Sequence, residues 1–95
     1  MKITVEFLSL PQISKIAGGK SIVFDFPGGT LHELIEAIAK KYGEKVGKLL
    51  FDDSGKLDRI FKVLLNKKDW ISHDKLDREL EDGDGVTLML LVGGG

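Results

Sequence analysis

The residues of this chain best suited to chemistry are its last three, Gly93, Gly94 and Gly95, which follow the apolar run from Leu88 to Val92. Glycine lacks a Cβ, so its backbone passes through channels too narrow for other residues. Gly95 presents an α-carboxylate that no side chain shields. Three residues reach about 10 Å beyond the strand that precedes them. Such a tail could place a carboxylate inside the active site of another protein. A carboxylate is a poor electrophile until one oxygen joins a leaving group, for example by adenylation. Its carbon then accepts sulfur or an amine, and the tail needs no side chain for this.

The remaining reactive residue types form no catalytic pattern. There is no cysteine, hence no thiol nucleophile, thiolate ligand or disulfide. His32 and His73 stand alone, without H-E-x-x-H spacing, and no metal site is expected. Ser9, Ser14, Ser21, Ser54 and Ser72 lack a G-x-S-x-G setting. The acidic clusters `FDDSG` and `LEDGDG` sit at glycine-containing turns, where Asp hydrogen-bonds the local backbone. They lack the ligand spacing of a calcium loop. `PGGT` resembles half of a phosphate loop without the G-x-x-x-x-G-K-[ST] pattern, and reads better as a strand-to-helix turn.

Composition narrows the partners. Lys+Arg number 14 and Asp+Glu 15 in 95 residues, a net charge of -1, which gives no broad electrostatic case for nucleic acid or anionic membrane. No apolar run approaches the roughly 20 residues of a membrane helix. The opening `MKITVEFLSL` alternates and reads as a strand, not a signal peptide. These features fit a cytoplasmic protein.

The elements that must position the tail are legible from periodicity. Ile3, Val5 and Phe7 alternate with Lys2, Thr4 and Glu6, the period of a half-buried strand. `LPQISKIAGGK` reads as a loop with room for a short helical turn, because Pro11 and Gly18-Gly19 break the pattern. `SIVFDF` resumes the alternation with Ile22, Phe24 and Phe26 on one face. In `PGGTLHELIEAIAKKYG`, Thr30 and Glu33 form a capping box, and Leu31, Leu34, Ile35, Ile38 and Tyr42 an apolar helical stripe. Gly43 stops this helix, and `EKVGKLLF` adds a short helical piece. `RIFKVLLN` is a strand with Phe61, Val63 and Leu65 inward. `KKDWISHDKLDREL` is a polar excursion with Trp70 and Leu76 as apolar anchors. `EDGDG` is a tight turn into `VTLMLLV`, which is apolar on both faces apart from Thr87.

A strand apolar on both faces belongs in the middle of its sheet. Pairing the last strand in parallel with the first gives an α+β roll of the β-grasp type, one domain over residues 1–92 with a tail at 93–95. One helix covers one sheet face. Leu8, Leu64, Met89 and Leu91 then point away from it, with Thr87. Contiguous exposed apolar residues suggest a partner surface; alternatively, the `HDKLDREL` segment folds over part of that face.

Nearly the whole chain resembles the ubiquitin-like sulfur carriers: the small subunit of molybdopterin synthase (MoaD), the thiamin sulfur carrier ThiS and the small archaeal modifier proteins. The resemblance is carried by `VEFLSLPQISKIAGGK`, `TLHELIEAIAKKY`, `DDSGKLDRIFKVLLNKKD` and, most specifically, `LEDGDGVTLMLLVGGG`. It implies a β-grasp fold and a carrier without catalytic side chains or bound cofactor. An E1-like, MoeB-like enzyme would adenylate Gly95 with ATP and Mg²⁺, and sulfur transfer would leave a thiocarboxylate. Gly94 would accompany Gly95 in the tail. Leu8, Leu64, Met89 and Leu91 would dock the partner, with Val92 and Gly93 leading to the tail. A second partner would be the MoaE-like large subunit of molybdopterin synthase. The alternatives are a protein modifier joined to target-protein lysines through Gly95, and a plain β-grasp interaction domain. MoaD tails read Pro-Pro-Val-x-Gly-Gly; here Leu90 and Leu91 replace the prolines, which leaves the strand free to continue to Val92.

Overall fold

A computed structural model describes residues 1–90. The strands are β1 (Lys2–Leu8), β2 (Ser21–Asp25), β3 (Phe61–Leu65), β4 (Asp69–Ile71) and β5 (Gly85–Leu90). The helices are α1 (Pro11–Ala17), α2 (Leu31–Tyr42) and α3 (Glu44–Leu50), with a 3₁₀ turn at His73–Lys75. The sheet order is β2-β1-β5-β3-β4. The last strand is therefore central, parallel to β1 and antiparallel to β3. Its two apolar faces account for the position, because a central strand is covered on more sides than an edge strand.

One face of the sheet packs beneath the helices. Ile3, Val5 and Phe7 of β1, Phe61, Val63 and Leu65 of β3, and Val86 and Leu88 of β5 are buried there. They meet Leu31, Leu34, Ile35 and Ile38 of α2 and Val46 and Leu50 of α3. Each such side chain stabilises the fold by about 1.5–3 kcal/mol when fully buried. Tyr42, placed on the same helical stripe, is only partly buried at the helix end.

Two segments differ from the sequence expectation. `PQISKIA` is a two-turn helix, not a loop. Pro11 occupies its first turn, where the missing N–H has no partner to lose. Gly18 closes it in the left-handed region (φ 90°), and its N–H reaches Ser14 O. The residues read as breakers are the start and stop of the helix. Leu10 and Ile13, three apart, bury its inner side.

The second difference is Trp70. It is no core anchor: it is 60 % exposed. The pairing Leu64↔Trp70 in the β3–β4 hairpin puts it in phase with the outward residues of β3. Leu76 does anchor its segment, together with Leu80. Both belong to the core because this stretch runs along the start of α2. Leu31 and His32 donate their N–H groups to Arg78 O (3.0 Å) and Leu76 O (2.9 Å), and Leu80 N–H reaches Gly29 O.

Candidate functional site

The candidate site is the sheet face away from the helices, together with the strand that runs toward the tail. Leu8 and Met89 are direct partners across the parallel β1–β5 pair. Leu64 lies opposite Thr87, and Lys62 opposite Met89, across β5–β3. Strict alternation sends Glu6 and Leu8, Thr87 and Met89, Lys62 and Leu64, and Trp70 to this one face. Leu8 is 37 % exposed, while Leu64 and Met89 are half-buried among their neighbours. The structure thus brings together three of the residues expected to meet a partner. Leu91, Val92, Gly93, Gly94 and Gly95 lie outside the described residues, as does the boundary between domain and tail.

The segment from His73 to Leu80 does not fold over this face. It packs against α2 instead, and the outer face has no cover among the described residues.

Four further residues of this face, Thr87, Glu6, Lys62 and Trp70, are not among those expected to meet a partner. Thr87, the one polar position in an apolar strand, is only 3 % exposed. Its Oγ1 donates to Glu6 Oε1 at 3.2 Å. Lys62 holds its Nζ 5.6 Å from the Trp70 ring centroid, an arrangement stabilised by the ring quadrupole. Thr87 was visible as an oddity of composition; its pairing with Glu6 depends on strand register.

The acidic turn before β5 sets that strand in place. Asp82 Oδ1 accepts the Lys2 N–H at 2.7 Å. Asp84 accepts from Glu81 N–H (2.8 Å) and from Asn66 Nδ2 (3.1 Å). `EDGDG` therefore joins the starts of β1 and β5 to the end of β3. Asp84 bonds the turn's own backbone at Glu81, as the turn reading expects, while the bonds to Lys2 and Asn66 reach distant strands. At its other end β5 passes an apolar groove of about 270 Å³ lined by Leu10, Pro11, Ile13, Leu49, Ile60 and Leu90.

The other chemistry-bearing residues are also engaged structurally. Asp52 Oδ1 accepts from Ser54 N, Ser54 Oγ and Lys56 N. The Ser54 hydroxyl, more than any other group, holds the Asp52 carboxyl below its usual pKa range. The Ser72 hydroxyl does the same for Asp74, at 2.6 Å. His32 lies 3.6 Å from Glu36 and edge-on to Phe51, while His73 contacts Asp58 O. Among the described residues no group of three or more His, Cys, Asp or Glu is placed to hold a metal ion. No helix among them is long and apolar enough to cross a membrane.

The start of α2 offers no phosphate cradle. Thr30 N–H donates to Glu33 Oε1 (3.0 Å) and Glu33 N–H to Thr30 Oγ1 (3.2 Å). Leu31 and His32 give theirs to Arg78 and Leu76, as above. The N–H groups from Thr30 to Glu33, which open the helix, are all spent within the chain. Gly29 serves the same cap: at φ 138°, a Cβ on it would stand 2.6 Å from Glu33 Oε1.

A mixed five-stranded sheet, a long helix across one face and an opposite face left uncovered among the described residues define a ubiquitin-like β-grasp protein. The model of the ThiS family matches residues 11–95. The chain belongs to the ThiS family, among the ubiquitin-like sulfur carriers. Similar solved structures include the small archaeal modifier SAMP1 of Haloferax volcanii, with a TM-score of 0.78, 21% identity and 100% of each chain covered. That likeness concerns the fold. CysO in the BexX/CysO complex of Amycolatopsis orientalis matches with a TM-score of 0.72 and 26% identity over 98% of this chain and 99% of that one. A putative molybdopterin converting factor, subunit 1, from Pyrococcus furiosus matches with a TM-score of 0.71 and 26% identity over 97% and 99%. A comparison with curated protein sequences found no match.

Proposed function

We propose that this protein carries sulfur on Gly95 for molybdopterin synthesis, as the small subunit of molybdopterin synthase. The observation that supports it is the course of β5. The central strand is held on both sides and passes beneath an uncovered apolar face. Its last described residue, Leu90, stands five positions before Gly95 in the sequence. A partner gripping that face through Leu8, Leu64, Met89 and Leu91 holds a rigid strand, with Val92, Gly93 and Gly94 spanning to its active site. The similarity to the Pyrococcus protein favours the molybdopterin pathway.

The chemistry proceeds on the partner. A Gly95 carboxylate oxygen attacks the α-phosphorus of ATP, and the bond to the β-phosphate breaks with loss of pyrophosphate. The E1-like partner supplies the Mg²⁺ that neutralises the phosphates. Sulfide then attacks the acyl carbon and AMP departs, leaving a thiocarboxylate at Gly95. On the large subunit of the synthase the thiocarboxylate sulfur attacks the pterin precursor and displaces an oxygen leaving group, and water then cleaves the acyl–sulfur bond, which leaves sulfur on the pterin and returns the carboxylate. Apart from that terminal carboxylate, this chain contributes position and access and no side-chain acid, base or nucleophile.

Intact-mass analysis of the protein from its native cell tests the proposal. The expected species has one oxygen of Gly95 replaced by sulfur, and deletion of Gly94 and Gly95 abolishes it. Free carboxylate alone, in the presence of the adenylating enzyme and a sulfur donor, would overturn it. Lysines bearing the C-terminal remnant in cell digests, with no thiocarboxylate, would establish a protein modifier instead.

A further inference from the structure

The apolar centre of the outer face is bracketed by opposite charges. Glu6 stands on β1, in the row that runs through Thr87 to Leu64; Lys62 stands on β3, in the row that runs through Met89 to Leu8. The two strands are separated by one other, so the charges sit on lines about 10 Å apart. Neither charge is neutralised: no ion pair among the described residues involves Glu6 or Lys62. Both are held in place. Thr87 Oγ1 fixes one oxygen of Glu6, and Trp70 lies under the Lys62 ammonium.

Apolar contact is non-directional and leaves rotation about the face unspecified. Charge pairs across an interface set register and reject wrong orientations. On the carrier reading above, rotation decides whether the tail enters the partner's active site. We infer that the adenylating enzyme presents an apolar surface flanked by a cation opposite Glu6 and a carboxylate opposite Lys62, and that this polarity fixes the docking orientation. Trp70, flat and exposed beside Lys62, extends the apolar contact to the β4 edge, where a partly exposed Trp is a favourable anchor. A second copy of this chain could satisfy the same charges in a two-fold pairing, but it has no active site for the tail.

ATP–pyrophosphate exchange by the purified adenylating enzyme of the same organism, with this protein as co-substrate, tests the inference. Glu6→Lys and Lys62→Glu should each raise KM for the carrier about tenfold, with kcat within about twofold, as expected for losing and reversing an interfacial charge pair. Glu6→Gln keeps an acceptor for Thr87 and removes the charge, so a smaller rise in KM with an unchanged melting temperature separates charge from folding. Lys45→Glu, on the helical side, should leave both constants unchanged. Wild-type KM in all three face variants would overturn the inference while leaving the carrier reading intact. Absence of exchange with the wild-type chain would overturn both. A dimer in sedimentation that Glu6→Lys dissociates would assign the face to a second copy and overturn the inference.

Discussion

The side-chain oxygen of Asn66 accepts the backbone N–H of Gly85 at 2.7 Å. Asn66 directly follows β3 and Gly85 begins β5, so one amide sets the register of the strand that precedes the tail. The same residue returns its own N–H to Gly85 O and its Nδ2 to Asp84. It does so in the left-handed region, at φ 53°, which Asn tolerates better than most residues. Asn66→Ala loses the side-chain bonds and adds backbone strain, and should destabilise the protein by about 2 kcal/mol. Asn66→Gly loses the bonds without the backbone strain and should cost less, about 1–1.5 kcal/mol with glycine's entropy loss included. Urea unfolding of the pair measures the difference; equal effects would refute the role given to backbone conformation.

Lys67, the next residue, is also left-handed, at φ 55°. A lysine gains nothing from that conformation. Lys67→Gly should therefore stabilise the hairpin by about 0.5–1 kcal/mol after glycine's larger entropy loss is subtracted. In a domain this small that corresponds to a rise in melting temperature of about 2–8 °C. A fall would show that the Lys67 side chain makes a contribution its exposure does not suggest.

Asp52 and Asp74 should make the protein acid-sensitive in a narrow window. Both carboxyls titrate below their ordinary value of 3.8, chiefly because the Ser54 and Ser72 hydroxyls bond the ionised form. Below that value the unfolded chain binds protons before the native chain does. The stabilisation is complete above the unfolded-state value and is lost as pH falls through the folded-state values. Both groups are exposed, so solvent keeps the effect small. The Asp52→Asn, Asp74→Asn double variant should show a flatter loss of melting temperature between pH 4 and pH 2, a window of about two units around and below the ordinary carboxylate value. An unchanged slope would refute the assignment.

Leu8 tests the apolar centre of the docking face. It is exposed enough for a polar substitute to remain solvated, and it pairs directly with Met89. Leu8→Asp should lower the rate of thiocarboxylate formation at least about tenfold, the equivalent of about 1.4 kcal/mol of lost association. The melting temperature should change by only a few degrees, since surface substitutions of this kind alter stability by about 0.5 kcal/mol. Wild-type rates would remove Leu8 from the partner surface.

The sequence by itself determined the features that depend on near neighbours along the chain. Alternation gave the phase of β1, β3 and β5, and with it the common face of Leu8, Leu64 and Met89. Residues three apart formed the capping box of Thr30 and Glu33, and Asp with Gly marked the turn that launches β5. Local signals misled where a breaker and a boundary look alike: Pro11 and Gly18 begin and end a helix. Only the tertiary structure decided what depends on register between distant strands. Trp70 faces outward because it pairs with Leu64, and Thr87 meets Glu6 from 81 positions away. His73–Leu80 lies along the start of α2 and does not cover the outer face. Periodicity states which side of a strand a residue takes; hydrogen-bond register across strands states which residue stands beside it, and the charge pattern of the docking face belongs to the second kind.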